Sequence, residues 1–151
     1  MISYQFSTQK PKFFHTRFKN AFKLLVLKIL SITNYKLKRI HYNFCTDEEI
    51  LILNRQSLNH DFYTDILTFN YSNTEYLEVE IYISLDRVKD NANFYDVTLE
   101  SELLRVMVHG ILHCVGYNDE TDQESILMRE KEDYYINEFF NLLNVPRGTS
   151  A

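Results

Sequence analysis

Residues 109–119 read HGILHCVGYND, and the residue types and spacing in that run could assemble a metal site. His109 and His113 are four apart, which on an α-helix means a rotation of about 40° and a rise of about 6 Å, so both imidazoles leave one face of one turn. Gly116 follows three residues later and is the residue type that ends helices in a left-handed conformation. The chain is then expected to turn back and bring Asp119 toward the same point as a third ligand. Three protein ligands with a fourth position open is the arrangement of a catalytic zinc site rather than a structural one. The expected cofactor is one divalent metal, Zn2+ before others, held by His109, His113 and Asp119. For the histidine pair alone, the bland alternative is two imidazoles sharing a helix face.

The chain has only three glycines, at 110, 116 and 148, and two of them fall in this window. Gly110 occupies a helix interior at a cost of about 1 kcal/mol relative to Ala, so something other than helix propensity placed it there. Two accounts stand: a bare backbone beside the metal that leaves room for a bulky substrate, or tight helix packing. Gly110 also sits where a zinc protease carries the glutamate that serves as general base, so a peptidase would need its base from elsewhere. The remaining skeleton, two ligands on a helix and a third after a glycine turn, has the geometry of the extended zinc-hydrolase motif.

The elements that must position these residues are legible from periodicity. Ile2 to Phe6 alternates as a strand, and Pro11 closes the loop after it. Thr16 to Ile32 carries Phe18, Phe22, Leu25, Val26, Ile29 and Ile32 at helical spacing, with Lys19, Lys23 and Lys28 off that stripe. Leu37 to Phe44 alternates again, with Lys38, Ile40, Tyr42 and Phe44 opposing Leu37, Arg39, His41 and Asn43. Thr46 with Glu49 forms a capping box that opens a short helix to about Asn54. Asp65 to Tyr71 and Leu77 to Leu85 read as neighbouring strands about the turn residues Ser72, Asn73 and Thr74. Asp86 is the expected cap of a helix to about Asn93. Thr98, with Ser101 and Glu102, opens the motif helix, nearly all apolar from Leu103 to Val115 and therefore central. A last helix runs from Asp122 to Leu143 and stops before Pro146.

The expectation is one α+β domain over 1–145, a small mixed four-stranded sheet flanked by helices and carrying a zinc-hydrolase-like metal helix, with 146–151 a mobile tail. A length of 151 residues suits a single core, and 45% apolar with 25% charged residues is ordinary for a globular protein. The apolar run Leu24–Leu30 is broken by Lys28 and too short to span a bilayer. The first ten residues lack the order of a signal peptide, which together with two cysteines and no CxxC points to the reducing cytoplasm. Cys114 projects roughly 100° away from His113 on the helix and reads as a buried filler.

The net charge of −5 hides an asymmetry: the first 46 residues hold nine Lys or Arg and no acid, whereas the rest holds seven basic and 21 acidic residues. The basic residues are Lys10, Lys12, Arg17, Lys19, Lys23, Lys28, Lys36, Lys38 and Arg39, with Phe13, Phe14, Phe18 and Tyr35 among them. One reading is a polyanion surface, phosphates on the cations and unpaired bases on the rings. The other is a solvated face that pairs with the acidic remainder in the fold.

The window from His109 to Asp119 resembles HGxLHxxGYDH, the motif of the YbeY endoribonucleases. The likeness continues in Glu124, Met128 and Glu132, which repeat that family's ExxxMxxxE. It extends upstream to Leu53 and Asn54, to Thr64–Phe69 (TDILTF, similar to TDVLSF), and to Glu80–Ser84 (EIYIS, similar to GDIxIS). It covers about residues 50–135 and implies a metal-dependent endoribonuclease of rRNA maturation and ribosome quality control, acting on single-stranded RNA with ribosomal proteins or assembly factors as companions. The chain departs from the pattern in three places. Asp119 replaces the third histidine, with Asn118 before it; Val79-Glu80 replaces Gly-Asp; and Leu58 aligns with an arginine to which catalysis is ascribed, leaving the catalytic residue unassigned. His60 and Arg55 are the nearest cations to that position, each also explicable as a surface residue. An Asp ligand at about 2.0 to 2.2 Å makes the metal a weaker Lewis acid and favours harder ions. The rival is a non-catalytic ribosome-assembly RNA-binding protein with a structural metal.

Overall fold

The computed structural model describes residues 1–58 and 64–147. Strands β1 (Ile2–Phe6), β2 (Lys36–Cys45), β3 (Ile66–Asn70) and β4 (Tyr76–Ser84) form one sheet in the order β1-β2-β4-β3. β1, β2 and β4 run parallel and β3 pairs antiparallel with β4, which makes the sheet mixed, as the alternation implied. The β3–β4 reversal is built on Asn73, whose side-chain oxygen accepts from the backbone N–H groups of Glu75 and Tyr76.

Alternation along the strands sends Ile40, Tyr42 and Phe44 with Val79, Ile81 and Ile83 to one face, where all six are fully buried. The alternation read over Leu37–Phe44 fails at one point. The β2–β4 register shifts between Leu37 and Arg39, a bulge at Lys38 that turns this lysine to solvent and lets Leu37 join Ile40 on the core side.

Helices α1 (Thr16–Ser31), α4 (Leu99–Cys114) and α5 (Asp122–Leu143) supply the buried apolar residues that cover this face. α1 presents Phe18, Phe22, Leu25, Val26 and Ile29, the expected stripe, and ends one residue early because Ile32 is its cap. α2 (Asp47–Leu58) packs on the opposite face, where Ile50 meets Cys45 and Leu67 in a small second cluster. It runs a turn beyond the Asn54 end read from the sequence, because neither glycine nor proline interrupts it. α3 (Leu85–Tyr95) is capped by Ser84, whose hydroxyl accepts from the Arg87 N–H, and not by Asp86, which lies in the first turn. Leu85 accordingly begins that helix rather than ending β4.

α4 is the central helix, and two contacts hold it on the sheet. The buried Tyr42 hydroxyl donates to the Met107 carbonyl at 2.9 Å. Gly110 lies so close to the strands that a Cβ there would stand 2.9 Å from Ile66 Cδ1 and 3.2 Å from Ile81 Cδ1. Of the two accounts of Gly110, the structure supports tight packing: the bare backbone faces the sheet and is buried, away from the imidazole edge of the helix.

The paired reading of the basic segment is partly realised. Lys28 bonds Glu138, Lys36 meets Glu75, Lys38 and Arg39 meet Glu78, and Arg17 donates to the Leu143 carbonyl. Lys10, Lys12, Lys19 and Lys23 have no ion pair among the described residues. No described helix is long and apolar enough to cross a membrane. The first residues after α5 are tied back to it through Arg147, which donates to Asn137 and Asp133. The rest of the expected tail, 148–151, lies outside the described residues, as does His60.

Tyr42→Phe leaves the ring's packing in place and deletes only the bond to Met107. The expected loss is about 1 kcal/mol, read as a lower urea midpoint at unchanged slope.

Candidate metal centre

The end of α4 forms as the glycine predicted. Gly116 has φ 116°, its N–H donates to the His113 carbonyl at 3.2 Å, and the Tyr117 N–H donates to Leu112 at 3.0 Å. These two bonds close a Schellman turn, which satisfies carbonyls left over at the helix end and reverses the chain. The return segment is pinned at its far side by α5. Thr121 and Glu124 form a complete capping box there, and the Ser125 hydroxyl donates to the Asp119 carbonyl at 3.0 Å. Asp119 is thereby brought back along α4 to His109, its Oδ2 3.5 Å from Nε2. Two ligands of a tetrahedral zinc at about 2.0–2.1 Å from the ion would stand roughly 3.4 Å apart, close to this separation.

His109 and His113 lie on one face as their spacing requires, with rings parallel within 3° and centroids 6.4 Å apart. His113 is exposed, whereas His109 is largely covered. As placed, no three His, Cys, Asp or Glu side chains among the described residues close into a metal-binding group. The structure joins His109 and Asp119 and holds His113 one helical turn beyond them.

The donor chemistry nevertheless fits a divalent cation. Glu132 Oε2 lies 2.7 Å from His109 Nδ1, and the Tyr117 carbonyl lies 3.1 Å from His113 Nδ1. In each case the acceptor calls for a proton on Nδ1 and leaves Nε2 with its lone pair, the state in which an imidazole ligates a metal. The turn that reverses the chain therefore also orients His113.

Glu132 is the residue that sequence reasoning missed as a working part, although the motif match contained it. Its side chain is 6% exposed and bridges His109 to the Arg105 guanidinium, whose Nη1 lies 2.8 Å from Oε1. Arg105 also pairs with Asp133 at 2.5 Å. The signal was available: on α5, Glu132 shares the buried stripe of Met128, Tyr135, Ile136 and Phe139, where an acid has no place without partners. The ExxxMxxxE pattern resolves into a cap (Glu124), a core residue (Met128) and a histidine anchor (Glu132).

His109, Asp119, Arg105 and Glu132, but not His113, line a cleft of about 390 Å³ whose wall also includes Asp65, Tyr95, Glu102 and Arg129. Burial pushes the Asp65 and Glu102 carboxyls upward, with Glu132 adding to both. The His109 imidazole is raised chiefly by its bond to Glu132, against the opposing effect of burial, with further help from Asp119 and Asp65. Arg55 lies on α2, which packs on the sheet face opposite α4, so it does not belong to this cleft. Cys114 is buried as a core filler, and burial raises its thiol to about 11.

Comparison with known proteins follows the same lines. The family model described as endoribonuclease YbeY matches residues 3–140. The protein of that name from Flavobacterium psychrophilum is 40% identical over 133 residues, 88% of this chain and 92% of that one. Its namesake in Cytophaga hutchinsonii is 49% identical over 100 residues, 66% of this chain and 70% of the relative. The solution structure of TM1509 from Thermotoga maritima superposes with a TM-score of 0.66 at 30% identity, covering 93% of this chain and 90% of that one.

In the metal-free protein the raised His109 value makes its protonated form stabilising. That contribution is complete below the ordinary value of 6.5 and is lost as pH rises through the folded value. Glu132→Gln removes the main cause, so the His109 ring resonance should titrate at lower pH, and the unfolding midpoint should lose its pH dependence in that window.

Proposed function

Because this chain belongs to the endoribonuclease YbeY family, we propose that it is a hydrolase that cuts single-stranded RNA by metal-assisted attack on the phosphodiester, in rRNA maturation and ribosome quality control. The observation that carries the reading is the anchoring of both imidazoles through Nδ1, with a carboxylate oxygen 3.5 Å from one of the two Nε2 atoms left available. His109, His113 and Asp119 would hold one divalent cation, Zn2+ before others. A cation bound there would supply a water acidified toward pH ~7 and polarisation of a phosphoryl oxygen.

The chain's own residues do the remaining work. Glu132 keeps His109 in its ligating tautomer, and Arg105 balances the charge of that buried carboxylate. Because Leu58 stands at the place of the family arginine, a cation that meets the phosphate must come from elsewhere. Arg105 is committed to Glu132 and Asp133, whereas Arg129 is 54% exposed on the cleft wall and meets Glu132 only at 3.9 Å. Arg129 is therefore the cation we assign to the substrate phosphate. The lysines of α1 without ion pairs, Lys19 and Lys23, would add contacts to the RNA backbone away from the cleft. We place the activity in the cytoplasm, with rRNA as substrate and ribosomal proteins or assembly factors as companions.

His113→Ala tests the metal directly, because the side chain is exposed and its loss should leave the fold intact. Metal analysis of the purified variant should show stoichiometry well below that of the parent, and RNA cleavage should vanish with it. Chelation of the parent protein should abolish cleavage and readdition of metal restore it; undiminished cleavage by metal-free H113A would overturn the nuclease mechanism. Binding of single-stranded RNA should also weaken as salt rises, since each phosphate contact releases a counterion, and Lys19→Ala with Lys23→Ala should flatten that slope.

A further inference from the structure

Two aromatic side chains at the end of α3 are unexplained by the fold. Phe94 is 82% exposed and Tyr95 is 54% exposed, their rings edge to face at 5.1 Å. Neither belongs to the core, and leaving two large rings in water forgoes the burial that such residues ordinarily supply. Their position is informative. Tyr95 forms part of the same cleft wall as His109 and Asp119, and the Arg129 guanidinium lies over its ring, 5.8 Å from the centroid.

A guanidinium laid over an aromatic ring presents a flat surface on which a nucleobase stacks, and the guanidinium edge keeps donors for the adjoining phosphate. The cleft volume of about 390 Å³ suits one nucleotide rather than a duplex. A base can reach such a platform only when it is unpaired and drawn out of its own stack. We propose that Tyr95 and Arg129 form a nucleobase-stacking subsite that holds one unpaired base of the RNA next to the bond that is cut, with Phe94 extending the aromatic surface outward. This rests on the ribonuclease reading above and adds to it a physical source for the single-strand requirement. The subsite selects for an unpaired base, because every base presents a flat face.

The test uses the full-length metal-loaded protein and a short single-stranded RNA with one mapped cut, together with copies of that RNA carrying a single abasic nucleotide at each position near the cut. Tyr95→Leu keeps an apolar side chain at a half-exposed position and removes the π face. It should lower kcat/KM about tenfold or more on the intact RNA, whereas Tyr95→Phe should stay near the parent. At one abasic position the parent should fall to the level of Tyr95→Leu, and the two proteins should cleave alike. A Tyr95→Leu penalty that persists undiminished at every abasic position, or no penalty at all, would overturn the subsite. A binding measurement separates this outcome from failure of the nuclease reading. The same RNA carrying 2-aminopurine should lose fluorescence on binding the metal-free parent and keep it with Tyr95→Leu. Quenching without any cleavage would remove the catalytic proposal and leave the subsite standing; cleavage without quenching would do the reverse.

Discussion

One buried carboxylate organises the site. Glu132 is withdrawn from water between α4 and α5, where an unpaired charge would cost several kcal/mol, so it must be met on both oxygens. Arg105 meets one and His109 the other, and both come from α4, one turn apart. The two helices can satisfy that carboxylate only at one rotation and one axial offset. This constraint places Thr121 and Ser125, at the start of α5, where they can hold the return loop from α4. The position of Asp119 against His109 is thus a consequence of where Glu132 has to be.

Helix α4 is pressed from its other side by a different kind of force. Gly110 removes the side chain that would hold α4 off the sheet, and the isoleucine tips of β3 and β4 fill the space. The two faces of the helix are therefore specialised, with glycine and apolar residues toward the strands and His109 toward the cleft. Tyr42 adds a hydrogen bond across the same interface. A helix seated this way by packing has little freedom to roll, and its imidazoles inherit that rigidity.

The charge asymmetry of the chain divides into two populations in the fold. The cations of β2 and the end of α1 face glutamates of β4, the loop before it and α5, surface pairs that each contribute little to stability but draw the halves of the sequence together. Lys19, half-buried, and Lys23, exposed, have no ion pair among the described residues. Four of the acids, Asp65, Glu102, Asp119 and Glu132, line the cleft, where burial and neighbouring carboxylates raise Asp65 and Glu102 and a cation would find compensating charge.

Much of this was legible in the chain itself, because it depends on neighbours in sequence. Helical spacing put His109 and His113 on one face, Gly116 marked the helix end, and strand alternation with turn residues gave the four strands of the mixed sheet. The misreadings have a common physical origin. Ser84 rather than Asp86 caps α3 and Lys38 bulges out of β2, and the choice between the two accounts of Gly110 was open for the same reason. Each depends on what stands across space, which local periodicity does not record. The same holds for Glu132 and Arg105, whose partners lie 23 and 27 residues away, and for the pairing of Tyr95 with Arg129 across the cleft. The sequence alone determined that two imidazoles share one helix face and that a glycine turn reverses the chain after them, since both follow from backbone geometry over a few residues. Only the tertiary structure decided which nitrogen of His109 is left available and which residues wall the cleft, because those depend on groups contributed by helices distant in the chain.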